Sequence, residues 1–223
     1  MDYILHLETA TKACSVALSG EGKLIELKES LTDAYSHSES LTSYIQDVLT
    51  AANIEMSQIN AVSVTSGPGS YTGLRIGVST AKGLCYALGI PLISVDSLIS
   101  MATLAKERHP NQNLCALIDA RRMEVFSAIY TNDLALLKPI SADVLEDEDR
   151  YADFEPFVYF GDGAKKMEIH WKNRNCTIDE EIHASAKGQI SEAYQKFQSG
   201  KFENVAYFEP YYLKDFVSTQ KKS

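Results

Sequence analysis

Apolar and polar residues alternate near the start of the chain, as they do in β-strands with one buried face. The alternation runs over residues 3–9, and two further short apolar runs follow at 15–18 and 24–27. Gly20-Glu21-Gly22 separates these two runs, and a glycine turn between apolar runs is typical of a β-hairpin. The pattern therefore predicts a strand followed by a hairpin.

The hydrophobic period changes after residue 37. Apolar residues then recur at i, i+4, i+7, i+8 and i+11, which places them on one face of a helix. They are Leu41, Ile45, Val48, Leu49 and Ala52. We predict an amphipathic helix over residues 37–52.

The remainder of the chain alternates between strand and helix patterns. The strands are expected at 61–65, 92–95, 114–119, 125–130 and 157–160, and the helices at 73–88, 97–106, 164–171 and 184–197. β-Hairpin material opens each half and β-α units continue it, which indicates an α/β fold of two lobes divided near residue 108. No sequence repeat is strong enough to prove a duplication.

The most informative segment is a glycine-rich loop that follows the strand at 61–65 and opens the next helix, Ser66-Gly67-Pro68-Gly69-Ser70-Tyr71-Thr72-Gly73. Such a loop can present backbone N–H groups to an anion. The spacing nevertheless fits no common enzyme motif. A P-loop lysine is missing, the glycines read GxGxxxG instead of the dinucleotide GxGxxG, and Ser70 lacks the glycine of a nucleophile elbow.

Small residues recur along the helix that follows this loop. Gly73, Gly77 and Ala81 stand four apart and share one face. A glycine inside a helix costs about 1 kcal/mol relative to alanine, so its repeated use needs a reason. Two reasons are open: close packing within the monomer, or close approach of a helix from another chain.

Charge and composition limit the classes of function. The chain carries 21 basic and 30 acidic residues, a net charge of −9, which argues against autonomous binding to nucleic acid. Much of the acidic excess lies between Asp143 and Glu155, including the run 146–149, and a solvated loop is the plain interpretation.

The N-terminus lacks the basic region of a signal peptide, and no apolar run approaches a membrane span. We expect a cytoplasmic protein with reduced, buried cysteines.

Few residues suggest catalysis or metal binding. The five histidines stand far apart, and none forms an HxxxH or HExxH pair, so no metal site is predicted. Asp119 precedes Arg121 and Arg122 at a strand end, where a functional site and an ion-paired structural corner are both open. Glu8 ends the first strand, which alone is a weak signal.

Six segments distributed over the chain together resemble the TsaB family, formerly called YeaZ, within the actin-like ATPase (ASKHA) superfamily. They are Leu7-Glu8-Thr9-Ala10-Thr11, His37-Ser38-Glu39, the glycine segment 66–77, Ala81-Lys82-Gly83-Leu84, Asp119-Ala120-Arg121-Arg122-Met123-Glu124-Val125 and Pro210-Tyr211-Tyr212-Leu213. The resemblance covers nearly the whole chain and is weakest from about residue 131 to 206.

The resemblance implies an actin-like fold of two small lobes, each with a mixed sheet flanked by helices. The first lobe, 1–108, would carry partner-docking helices. The second, 109–223, would have a C-terminal end that returns to the first. The implied role is a noncatalytic scaffold subunit for N6-threonylcarbamoyladenosine (t6A) at position 37 of tRNAs that read ANN codons. Its partners would be a TsaD-like catalytic subunit and a TsaE-like ATPase.

The resemblance also implies where contacts lie. The catalytic paralogue TsaD has an HxxxH metal pair, but the corresponding stretch here, 95–101, holds no histidine, so neither a catalytic nor a metal site is expected. Partner contacts are predicted at His37, Leu41, Ile45, Gly73, Arg75, Gly77, Val78 and Ala81. The glycine loop, with Ser66, Gly67, Pro68, Gly69, Tyr71 and Thr72, would lie near a subunit or nucleotide boundary.

Several points stay open within this hypothesis. No cofactor is expected to bind tightly, and whether ATP or ADP binds at the interface of the assembled complex is undecided. Contact with tRNA is expected only through the complex, and the free protein could form a homodimer. The alternative function is a small actin-like ATPase or kinase that uses Glu8, the glycine loop and Asp119 around a magnesium nucleotide.

Overall fold

The computed structural model describes residues 1–31, 37–145 and 149–214. A first five-stranded sheet has the order β3-β2-β1-β4-β5. The strands β1, β2 and β3 form an antiparallel meander, and β4 and β5 join it in parallel. Their bounds are Tyr3–Glu8, Ala13–Gly20, Lys23–Leu31, Ile59–Gly67 and Leu92–Asp96.

The second sheet repeats the same topology with the order β10-β9-β6-β7-β8. β6, β7 and β8 are antiparallel neighbours, β9 lies parallel to β6, and β10 lies parallel to β9. The bounds are Asn113–Asp119, Glu124–Tyr130, Leu136–Val144, Phe157–Phe160 and Cys176–Asp179. Two copies of one mixed sheet confirm the expected actin-like fold, although the sequence showed no repeat.

Helices cover both faces of the first sheet. Successive residues of a strand point to opposite sides of the sheet, and here both sides carry buried apolar residues. Leu5 and Val62 pack with α1 (His37–Ala52) and α2 (Tyr71–Leu88). Ile4 and Ala61 instead pack with α5 (Ile190–Gln198). The amphipathic helix over 37–52 is therefore confirmed, with Leu41, Ile45, Val48 and Leu49 in the core.

The two halves of the chain exchange helices. α3 (Ser97–Arg108) packs on the second sheet through Leu98, Met101, Ala102 and Ala105, whereas α5 from the second half lies on the first sheet. Asp96 caps α3, accepting hydrogen bonds from the N–H groups of Leu98 and Ile99. The division of the chain near residue 108 stays a prediction.

A C-terminal strap, residues 203–214, continues from α5 across the first lobe. Glu203 forms a bridge with Leu92 on the edge strand β5. Lys82 of α2 donates hydrogen bonds to the carbonyl oxygens of Ala206 and Phe208 at 3.2 and 3.0 Å. The strap then reaches the glycine loop, where the Tyr211 N–H donates to the Ser66 carbonyl at 2.7 Å.

Three predictions about secondary structure need correction. The strands β8 and β10 were not predicted. The last helix begins at Ile190, after a 3-10 turn over Ala186–Gln189, and not at residue 184. The helix α4 covers only Ala164–Met167. In the part of the chain that the structure describes, no helix has the length and apolarity needed to cross a membrane.

The acidic segment of the second lobe is only partly a solvated loop. Residues 146–148 lie outside the described part. Asp143 is 2% exposed and accepts hydrogen bonds from Lys138, Ser127 and Tyr151. Burial favours the protonated form of Asp143, but these hydrogen bonds outweigh burial and lower its pKa. The solvated interpretation is therefore wrong for Asp143, which belongs to a buried ion-pair network.

Candidate functional site

The glycine loop lies where β1 and β4 end side by side. Ser70 caps α2, since its hydroxyl accepts a hydrogen bond from the Gly73 N–H, and the Ser70 N–H donates to the Ala10 carbonyl at 2.6 Å. A Cβ on Gly69 would lie 2.4 Å from that same carbonyl oxygen. The loop is thus packed against the residues that follow β1, and the N–H groups of Ser70 and Gly73 are used inside the protein.

The glycines of α2 pack inside the monomer. A Cβ on Gly73 would lie 2.0 Å from the Thr9 carbonyl oxygen, and a Cβ on Gly77 would lie 2.3 Å from the Thr9 hydroxyl. The Thr9 hydroxyl also donates a hydrogen bond to the Gly73 carbonyl at 2.8 Å. The close approach that requires glycine here is therefore that of β1, and not that of a partner helix.

Six of the eight predicted partner contacts are largely buried within the single chain, and whether they meet a partner stays a prediction. Gly73, Gly77, Val78, Ala81, Leu41 and Ile45 are all buried in the single chain. Arg75 is exposed on α2, with its guanidinium 4.3 Å from the centre of the Tyr71 ring. The His37 side chain lies outside the described residues. Docking through α1 and α2 stays a prediction, and the face that is open to a partner is the one that Ile45 lines.

That face is a groove of about 950 Å³ between α1 and α2. Its lining combines apolar side chains with polar ones and includes Ile45, Leu49, Met56, Leu84, Thr42, Gln46, Thr80 and Gly83. Gly83 is exposed, and a Cβ placed on it would meet no atom within 4 Å. Nothing within the monomer requires a glycine at this position. Sequence reasoning missed Gly83, although its place off the Gly73–Gly77 face was visible from helical spacing.

Glu8 is buried in a polar network at the end of β1. Its carboxyl group accepts hydrogen bonds from the Thr65 hydroxyl at 2.5 Å and from the Ala10 N–H at 2.7 Å. The Gln189 amide donates to the Thr65 hydroxyl and to the Leu7 carbonyl, each at 2.8 Å. Burial raises the pKa of Glu8 to about 7 despite these hydrogen bonds.

This raised pKa predicts that Glu8→Gln stabilises the protein above neutral pH. Because the folded-state pKa lies above the unfolded value, stability falls as pH rises from about 4.5 to about 7. The unfolded state loses its proton first in that range. Glutamine resembles the protonated carboxyl group, so the variant should gain about 2–3 kcal/mol at pH 8 and little at pH 4.

Urea unfolding of both proteins at pH 4, 6 and 8 measures this difference. Glu107→Gln on α3, which neutralises an exposed carboxylate, serves as the matched control and should leave the pH dependence unchanged. A Glu8→Gln protein whose stability keeps the wild-type pH dependence would contradict the assignment.

Asp119, the other acidic residue proposed for a nucleotide site, is held by contacts within the chain, and its N–H donates a hydrogen bond to the Asp162 carboxylate at 3.0 Å. Asp119 pairs with Lys166 at 2.5 Å and not with the adjacent arginines. A cleft of about 190 Å³ lies between the lobes beside Thr11, smaller than the roughly 300 Å³ at which ligand pockets begin. Across residues 1–31, 37–145 and 149–214, no group of three or more His, Cys, Asp or Glu could hold a metal ion. Nothing here favours the ATPase alternative.

Comparison with known proteins identifies relatives of this chain. Residues 32–217 match the family model described as TsaD, tRNA N6-adenosine threonylcarbamoyltransferase. The chain is 32% identical over 230 residues to the tRNA threonylcarbamoyladenosine biosynthesis protein TsaB of Escherichia coli, with 98% of this chain and 97% of that protein covered. TsaB of Bacillus subtilis is 33% identical over 141 residues, 63% of this chain and 60% of that protein.

A solved structure agrees with these sequence relatives. YeaZ from Pseudomonas aeruginosa superposes with a TM-score of 0.82 at 26% sequence identity, covering 96% of this chain and 100% of that chain. The similarity therefore spans both sheets and the groove between α1 and α2.

Proposed function

This chain belongs to the TsaB (YeaZ) family and has a role in the biosynthesis of t6A in tRNA, and from that premise we propose that it is the noncatalytic scaffold of the modifying complex. Its partner in this proposal is a TsaD-like catalytic subunit. The observation that carries the proposal is the open groove between α1 and α2, which contains a glycine that the monomer itself does not require.

The identity of the partner follows from likeness between the two proteins. This chain matches the family model of the transferase over residues 32–217, so a TsaD-like subunit is expected to carry equivalent helices on an equivalent sheet. Two similar helix pairs can pack face to face about an approximate two-fold axis. The same geometry would allow two copies of this chain to form a homodimer when the partner is absent.

The side chains and the glycine that line the groove are suited to contact with a helix of the partner. Leu49, Leu84 and Met56 offer apolar surface at its walls, and Gly83 lets a facing helix backbone approach closely. A groove that combines apolar walls with a polar rim is typical of protein interfaces. We assign the chemistry to the partner, because the residues proposed for a nucleotide site here are sealed or ion-paired within the chain.

The remaining components of the proposal follow from the assembled complex. A TsaE-like ATPase joins the pair, and any ATP or ADP binds at the shared interface instead of tightly to this chain. The product is t6A at position 37 of tRNAs that read ANN codons, made in the cytoplasm. The net charge of −9 disfavours binding of tRNA by this chain alone, so we assign tRNA binding to the complex.

Light scattering after size exclusion tests the proposal directly. The chain, alone and mixed with the TsaD-like protein of the same organism, should give a stable one-to-one complex, and only the mixture should support t6A formation in a reconstituted assay. Absence of association under every nucleotide condition, or t6A formation that does not need this chain, would refute the scaffold role.

A further inference from the structure

Two adjacent arginines form the tip of the hairpin between β6 and β7. Arg121 has φ 65° and Arg122 has φ 52°, both in the left-handed region that disfavours residues with a Cβ. Glycine and asparagine occupy such positions with little strain. The chain therefore holds two arginines where turn chemistry favours other residues, which indicates a use for their side chains.

Hydrogen bonds with Asp119 and Lys166 fix the conformation of the hairpin. The Arg121 N–H donates to the Asp119 carboxylate at 2.6 Å. Lys166 donates to the same carboxylate and to the carbonyl oxygens of Arg122 and Glu124. Lys166 thus pairs with the Asp119 carboxylate while fixing the turn, so this carboxylate forms no ion pair with either guanidinium.

Both arginine side chains point away from the protein. Arg121 and Arg122 are exposed, and neither guanidinium has an ion pair or hydrogen bond with any residue that the structure describes. The end of the strap lies beside them, because Lys214 pairs with Glu124. Since Glu124 balances the charge of Lys214, Arg121 and Arg122 give this turn two exposed positive charges on a chain whose overall charge is −9.

Aromatic rings continue this cationic surface toward α2. Two residues before Lys214, the ring of Tyr212 lies 4.9 Å from that of Tyr71. Tyr71 in turn stacks under the Arg75 guanidinium. The Tyr71 ring is half-buried, whereas Tyr211 and Tyr212 of the strap are exposed. Exposed aromatic rings near arginines are typical of surfaces that bind the backbone and unstacked bases of RNA.

We infer that the 120–123 hairpin is an RNA-phosphate contact through which this chain helps the assembled complex to hold its tRNA. The inference rests on the proposed function. Guanidinium groups donate paired hydrogen bonds to phosphate oxygens, and a rigid turn lowers the entropy that is lost on binding. An acidic surface on a protein partner is the competing occupant, and the adjoining tyrosine rings favour RNA over it.

The test variant is Arg121→Asn/Arg122→Gly, which suits the left-handed turn and removes both charges. Its stability in urea should equal or exceed that of the wild type. The control is Lys172→Asn/Lys201→Asn, which removes two exposed charges far from the hairpin. Fluorescence anisotropy with labelled tRNA is measured on the preassembled complex for each protein across a series of salt concentrations.

We expect the hairpin variant to bind tRNA about 10-fold more weakly, with a salt dependence (the slope of log K against log salt) shallower by about 1 to 2. The control should stay within about 2-fold. Unchanged affinity of the hairpin variant would overturn the inference, and so would failure of that variant to assemble, since the hairpin would then contact protein. Failure of the wild-type proteins to assemble would instead refute the scaffold role on which the inference depends.

Discussion

Gly73→Ala is expected to destabilise the free protein by about 3 kcal/mol or more, while Gly83→Ala on the same helix is expected to stabilise it. The added methyl group on Gly73 would lie 2.0 Å from the Thr9 carbonyl oxygen, so either α2 or the end of β1 must move. Overpacking in a close-packed core costs about 1–3 kcal/mol and sometimes more. Backbone contact is the severe case, because a peptide cannot rotate away as a flexible side chain can.

The opposite sign at Gly83 follows from its surroundings. A Cβ there meets no atom within 4 Å, so alanine gains up to about 1 kcal/mol in helix propensity without any steric cost. Urea unfolding of the two variants and the wild type measures both effects in one experiment. Equal stability of the two variants would show that contact with Thr9 does not decide the use of glycine in α2.

This pair of glycines shows what the sequence can and cannot reveal. Helical spacing correctly places Gly73, Gly77 and Ala81 on one face of α2. Whether that face turns toward the same chain or another depends on Thr9, which is 64 residues away from Gly73 in sequence. A local pattern carries no information about such a distant neighbour, so the two interpretations of the glycines could not be separated beforehand.

The regular elements of the first half were predicted well because each signal is local. The period of apolar residues and the glycine turns identify β1 to β3, α1 and α2. By contrast, β8 carries Pro139 and a buried Lys138, which obscure the strand pattern. The four-residue β10 pairs only with β9, so its strand conformation depends on a neighbour rather than on its own residues.

The network around Glu8 was similarly beyond sequence reasoning. Glu8 was visible as an acidic residue at a strand end, but its partner Thr65 lies 57 residues further along the chain. Gln189, which joins the network at Thr65, lies a further 124 residues on. Burial by these partners turns a possible phosphate-loop carboxylate into a group with a pKa of about 7. That change could be found only from the folded structure.

Gly83→Leu is expected to weaken pairing with the TsaD-like subunit by about 10- to 100-fold while leaving the monomer folded. The leucine would project into the groove between α1 and α2, where the proposed partner helix approaches. Filling a close helix contact costs about 1–3 kcal/mol, which corresponds to that loss of affinity. Within the monomer the side chain meets open space, and leucine favours helix more than glycine does.

Isothermal titration with the TsaD-like protein measures the affinity, and urea unfolding confirms that the variant is folded. Gln195→Leu provides the matched control, because it adds the same side chain to an exposed position of α5, on the opposite face of the first sheet. That control should pair normally. If Gly83→Leu also pairs normally, the groove is not the docking face. If both variants fail to pair, surface leucine itself is the cause, and the effect at Gly83 would give no support to the groove as the interface.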